Sequence, residues 1–275
     1  MDAVIFRKFD YENFLASLLM PQSCRTSVFA IRALNIELAQ IQDVVSEKQI
    51  GLMRLQFWRD ALLRIFKGQP PESPIAQQLA KAVERHNLSL HWFMQLLECR
   101  EMRLDRKGEF SRMKEIEEYA DKSVCSLNYL MLECLGVRNV DADHAISHLG
   151  KAQGIVTLIR GTVHNLRSNQ VSLPMELLLM HNVSQEEVIR GCREQKMKDV
   201  IYDLAAFANT HLETARSIAD KVPRDALPAF AVSVPTDSYL KALQRADFDI
   251  FDGRLQQRNA WLPLLMWKQK YQRKY

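Results

Sequence analysis

The sequence predicts an all-α fold, and three observations carry that prediction. Apolar residues recur three and four positions apart over most of the chain, as at Val28, Ile31, Leu34, Leu38, Ile41 and Val45. The period-two alternation of a half-buried strand is not evident. Residues that end or prevent helices punctuate the pattern: Pro21, the run from Gly68 to Pro74, Gly136, Pro174 and Pro223. Helices that each bury one stripe must pack on one another, so a helical bundle is the economical architecture.

The first helix predicted by this spacing covers 28–45. The second follows Ile50, Met53, Phe57, Ala61 and Ile65, after which Gly68 to Pro74 forces a turn. Further helices are expected at 75–87, 89–104, 111–135, 141–166, 184–190, 197–220, 236–246 and 259–272. With 275 residues, 47% of them hydrophobic and 25% charged, the chain can bury one sizeable core, and we expect a single domain over residues 1–275. The Pro- and Gly-containing stretches 68–74 and 224–237 are the nearest candidates for linkers. Both are short, and the helical patterns beside them would have nothing else to pack on.

The formal charge of +4 is small, and Lys and Arg are interspersed with Asp and Glu, so no nucleic-acid partner is expected. Cys24, Cys99, Cys125, Cys134 and Cys192 are odd in number and form no C-x-x-C pair, which suits a reducing compartment and small buried side chains. No apolar run approaches the roughly 20 residues that span a bilayer. Asp2, Asp10 and Glu12 suit neither a secretory signal nor an acid-poor mitochondrial presequence. Either the chain has no presequence or its numbering begins after one.

Four groups of residues bear on chemistry. Asp43 and Glu47 stand four residues apart, the spacing of one helical face, and such a pair is either half of a metal site or a solvated surface. Arg54 and Arg59 flank Trp58. They can hold a phosphate or carboxylate, but the expected role is packing, with Trp58 as anchor and the arginines paired to acids on neighbouring helices. His144 and His148, with Asp141 and Asp143 nearby, have zinc-compatible spacing without identifiable further ligands, so a surface or helix-packing pair is expected and no metal. The terminal stretch from Trp261 to Tyr275 mixes Trp, Leu and Lys, which suits either a helix closing a bundle or a membrane interface.

The order Gly150, Ala152, Arg160, Leu173, Pro174 resembles the second aspartate-rich helix of the squalene/phytoene synthase family, and Phe29 to Ala39, Arg54 to Arg59 and Tyr119 to Gly136 resemble three more of its segments. The resemblance implies an isoprenoid-synthase-like bundle with a central cavity for magnesium and a prenyl diphosphate. It also implies that the chemistry is lost. Where the family pattern reads Gln-x-x-Asn-x-x-Arg-Asp-x-x-x-Asp, this chain has Gly154, Thr157, Arg160, Gly161 and Asn165. Magnesium needs hard carboxylate oxygens, which Gly, Thr and Asn lack. On the first helix only Glu37 stays acidic in the preferred register, and a second register uses Asp43 and Glu47. Val124, Cys125 and Asn128 replace small channel-facing residues, which should narrow the prenyl channel. Arg167 remains of the basic residues before Leu-Pro, while Gln170 and Ser172 replace the expected Arg and Tyr.

The expected vestigial pocket is therefore Glu37, Asp43, Glu47, Arg54, Trp58, Arg59, Arg160, His164, Asn165 and Arg167, with no catalytic residue, no metal and no cofactor. One branch of the family is resembled most, that of the mitochondrial complex I assembly factors. It implies a non-catalytic role in early assembly and in making the membrane-arm subunit next to the quinone site. The implied partners are complex I subunits or assembly intermediates, with peripheral contact to the matrix side of the inner membrane. The alternative is a residual prenyl or polyisoprenoid diphosphate transferase, or an isoprenoid-lipid binding protein.

Overall fold

A computed structural model describes residues 6–8, 10–45, 47–105, 109–272 and 275. The described elements are helices, with one isolated bridge between Phe110 and Pro174. In chain order they are α1 (Tyr11–Leu19), α2 (Gln22–Val44), α3 (Lys48–Phe66), α4 (Pro74–His86), α5 (Leu90–Asp105), α6 (Met113–Ala120), α7 (Ser126–Cys134), α8 (Val140–Asn165), α9 (Met175–Met180), α10 (Gln185–Ile189), α11 (Gln195–Ser217), α12 (Ser233–Arg245) and α13 (Leu262–Gln272). The proline and glycine breaks fall between helices as expected. Gly68, Gly136 and Gly191 hold left-handed backbone just after α3, α7 and α10, where a side chain would be strained.

The organising element is α8. Asn139 caps it by accepting a hydrogen bond from the Ala142 N–H at 2.9 Å. Its N-terminal half buries Ala142, Ala145, Ile146 and Leu149 in one apolar cluster with α2 to α5 and α7. Its C-terminal half buries Ile155, Val156 and Ile159 in a second cluster with α9 to α12. The long helix α11 lies along it, with Val200, Ile201, Leu204, Ala208, Leu212 and Ala215 buried.

The structure differs from the sequence reading in the extent of its helices. The helix expected over 111–135 is divided by a wider π-helical turn, Asp121–Cys125, between α6 and α7. This turn faces Gly150, where an added Cβ would lie 3.0 Å from the Cys125 Cα. The stretch 224–237 is no linker: Arg224–Val232 forms a 3₁₀ helix with Ala226, Ala229, Phe230, Ala231 and Val232 buried, and α12 follows directly. The helix α1 was not expected, because nine residues hold too few apolar repeats to stand out.

Candidate functional site

A cavity of about 610 Å³ lies between α1, α2, α5, the α6–α7 turn, α8 and α12. That is the size of a small-molecule site. Asp43, Arg160, His164 and Asn165 of the expected residues line it, together with Gly154, Thr157 and Gly161 of the altered motif. The other expected residues lie elsewhere. Glu37, Arg54 and Trp58 line a separate groove of about 380 Å³ between α2 and α3. Arg59 donates to Glu101 Oε1 at 2.7 Å, the packing role expected for it. Arg167 is exposed on the turn after α8. Glu47 is exposed beyond the end of α2, which stops at Val44, so Asp43 and Glu47 do not share a helical face. Both proposed first-helix carboxylate registers are thus corrected: Glu37 points into the wrong groove, and the Asp43/Glu47 pair is split by a helix end.

Residues that the sequence did not single out join Arg160 and Asp43 and give the cavity its character. Lys8, Arg32, Arg100, Arg103 and Arg258 line it with Arg160, against Asp10, Glu12 and Asp43. Arg160 donates to Glu12 Oε2 at 2.7 Å and lies 4.4 Å from the Tyr239 ring centre. Burial pushes the Tyr239 hydroxyl up to about 12, with Arg160 pulling the other way. Arg100 donates to the Tyr119 hydroxyl at 2.7 Å and to Asn35 Oδ1 at 2.9 Å, and Arg103 donates to Gln42 Oε1 at 2.7 Å. Gln153 donates to Asn13 Oδ1 at 3.1 Å. Arg32 is 3% exposed, and its Nε meets no partner among the described residues. Burial lowers its pKa, while the nearby Asp10 charge favours the cation. Burial likewise raises the Asp10 pKa, and Arg32 holds it down in part. One sequence signal could have found this wall: Arg32 is a lone cation within the buried stripe of α2.

This donor set does not fit a magnesium–diphosphate clamp. The α8 side offers Gly154, Thr157, Gly161 and Asn165, none of them a carboxylate, and Asn165 donates its Nδ2 to Ser172 Oγ at 2.8 Å. Glu12 is engaged by Arg160, and the Asp10 charge faces the buried Arg32 cation, so Asp43 is left without a free carboxylate opposite it. Among the described residues, the grouping of three metal-capable side chains is outside the cavity, at Glu187, Cys192 and Glu194, where Glu187 is already bound to Lys196 and Ser184.

Of the three residues expected to narrow the channel, Val124 faces the cavity, whereas Cys125 and Asn128 pack into the core. Cys125 is buried against Gly150 and donates to the Ser147 carbonyl at 3.1 Å. Asn128 is fully buried, with neither amide atom partnered among the described residues. The His144/His148 pair is no zinc half-site in this arrangement. His148 Nδ1 lies 2.9 Å from His211 Nδ1 on α11, a hydrogen bond that ties the two long helices. Burial, then His211 and His144, lower the His148 pKa to about 4, so His148 is neutral at pH 7.

The squalene/phytoene synthase family model matches residues 6–262. The chain is 49% identical to the NADH dehydrogenase (ubiquinone) complex I, assembly factor 6 of Rattus norvegicus, over 98% of this chain and 81% of that protein. It is 48% identical to the protein of the same name from Homo sapiens, with the same coverage. A crystal structure of a dehydrosqualene synthase in complex with ligand superposes with a TM-score of 0.83 at 18% identity, covering 98% of this chain and 94% of the other. The fold is shared with synthases and nearly half of the sequence with assembly factors: the chain belongs to the squalene/phytoene synthase family, in the branch of the complex I assembly factor 6 proteins.

Proposed function

We propose that this chain is a non-catalytic assembly factor of mitochondrial respiratory complex I. It works as one domain on an early intermediate that includes the membrane-arm subunit next to the quinone site, in peripheral contact with the matrix side of the inner membrane. The observation that carries the non-catalytic reading is the cavity's donor set: arginines and amides stand where paired carboxylates would be needed, and Arg160 is neutralised by Glu12 from within the chain. Metal and diphosphate act together, because the cation neutralises the ligand and polarises the leaving group, so loss of several partners abolishes ionisation rather than trimming it. The assembly role is supported by the relatives near half identity that carry that name. Exposed Val44, Met53 and Phe57 beside the α2–α3 groove add an apolar surface of the kind protein contacts use.

The test has two arms. In cells lacking their own copy, the wild-type chain and Asp43→Asn both restore complex I. In vitro, farnesyl diphosphate with magnesium yields no pyrophosphate. Magnesium-dependent release abolished by Asp43→Asn would overturn the reading. A second reading, a ligand-holding cavity without turnover, is favoured by Arg32, whose guanidinium is held in the cavity wall with an unpartnered Nε. Titration of wild type and Arg32→Leu with farnesyl diphosphate, without magnesium, separates it: binding to the first only supports the holding role, and no binding to either removes it.

A further inference from the structure

The helix α13 is held to the bundle by one face. Leu262 and Met266 are buried, and the Gln269 amide donates to Ser233 Oγ at 2.9 Å. The opposite face is apolar where a surface helix would ordinarily be polar. Trp261 is 69% exposed, Leu264 54%, Leu265 40% and Trp267 52%. On the adjoining α1, Leu18 is 41% exposed. The charge of this C-terminal stretch of sequence has one sign. After Asp252 the sequence contains no Asp or Glu, but it contains Arg254, Arg258, Lys268, Lys270, Arg273 and Lys274. Arg254 is paired with Asp252 and Arg258 stacks on Tyr11, whereas Lys268 and Lys270 make no ion pair with a described residue. Alongside lies a pocket of about 250 Å³ whose walls include Leu19, Leu227, Pro228 and Met266, with Arg224 and Lys270.

We infer that the outward face of α13 is a docking surface for a bilayer of anionic phospholipid. Tryptophan prefers the headgroup boundary because its ring is apolar and its N–H is polar. Lysine stems lie along apolar surface while the ammonium reaches phosphate. No described helix is long and apolar enough to cross a membrane, so α13 lies on the surface rather than through it. Charge complementarity selects an anionic lipid over a neutral one, because apolar side chains alone would not discriminate. The inference rests on the peripheral-membrane part of the proposed function and assigns that contact a surface and a lipid class.

The experiment is flotation of the purified chain with vesicles of phosphatidylcholine alone and of phosphatidylcholine with phosphatidylglycerol. The wild type is expected to float with the mixed vesicles and only weakly with the neutral ones, and high salt is expected to reduce the bound fraction. K268E/K270E and W261S/W267S should each lower affinity by roughly tenfold or more. K81E/K114E, with the same charge change at exposed lysines elsewhere, should bind as wild type. Thermal unfolding of each variant confirms that the bundle is intact; should the tryptophan variant unfold, the lysine pair carries the test. No binding by the wild type, or equal binding by all folded variants, would overturn the inference. So would concentration-dependent dimerisation through the same residues with no vesicle binding. Vesicle binding as expected, with no rescue of complex I by the wild type, would overturn the assembly role and leave the surface standing.

Discussion

Asn128 is fully buried on α7, and neither atom of its side-chain amide meets a hydrogen-bond partner among the described residues. Desolvating an amide without compensation costs on the order of 1–3 kcal/mol, and replacing it with an apolar group of the same shape removes that cost. Asn128→Leu is therefore expected to stabilise the chain by about 1 kcal/mol, read as a higher urea midpoint at unchanged slope. A lower midpoint would mean that the amide has a partner in solution. This residue and Arg32 show what single positions disclose. The family resemblance placed Asn128 facing the channel, whereas the structure buries it in the core of the bundle and away from the cavity lining. The sequence reading passed over Arg32, because a cation inside an apolar stripe counts as a break in periodicity until its neighbours from α1 are known. Asp10 and Glu12 were missed for the same reason: they reach the cavity from a segment more than a hundred residues away in sequence from Arg160.

At the scale of elements, α8 is fixed by close approach on one side and by a histidine pair on another. A Cβ on Gly154 would sit 2.5 Å from the Ala120 Cβ and 3.1 Å from its Cα, with backbone that cannot swing aside. Gly154→Ala gains about 1 kcal/mol of helix propensity but forces α6 outward, at a cost of roughly 1–3 kcal/mol. The net expectation is destabilisation, measured as a fall in Tm; a rise would show that α6 yields freely. On the other side, His148 has a folded pKa of about 4 against an ordinary value of 6.5. The unfolded chain therefore takes up a proton first as pH falls. The stability contributed by the neutral His148–His211 bond is complete above pH 6.5 and is lost as pH drops toward 4. His148→Phe is expected to flatten the decline of Tm over that window, and an unchanged slope would show that the pair does not titrate with unfolding. The long helices were legible because ten or more residues repeat the apolar stripe. The nine residues of α1, the six of α9 and the 3₁₀ helix before α12 carry too few repeats, and their helical form depends on the bundle they cover.

At the scale of the whole molecule, a synthase fold is retained although the chemistry's ligands are absent, and the glycines on α8 show why the two separate. The residues that shape the bundle, among them Gly150, Ala152, Leu173 and Pro174, carried the family resemblance and are packing residues: the Ala152 and Leu173 side chains are buried, and Gly150 admits the π-helical turn. The two positions where the motif would carry carboxylates, 161 and 165, face the cavity, where no packing demand fixes them, and both differ. Gly161 illustrates this freedom: a Cβ there would meet only the Asn165 Nδ2, at 3.9 Å. Carboxylates can be put back at 161 and 165 without steric cost, but Gln at 154 would collide with Ala120, and Arg160 would still be bound to Glu12. The double substitution G161D/N165D is therefore expected to fold, with a Tm within a few degrees of wild type, and to release no pyrophosphate from farnesyl diphosphate with magnesium. Turnover in that variant would mean that two carboxylates suffice and that this chain lies one step from an enzyme. Its absence, with an intact fold, would locate the block in the helix contacts around Gly154 and in the acids of α1, a change of packing that point restoration of ligands does not reverse.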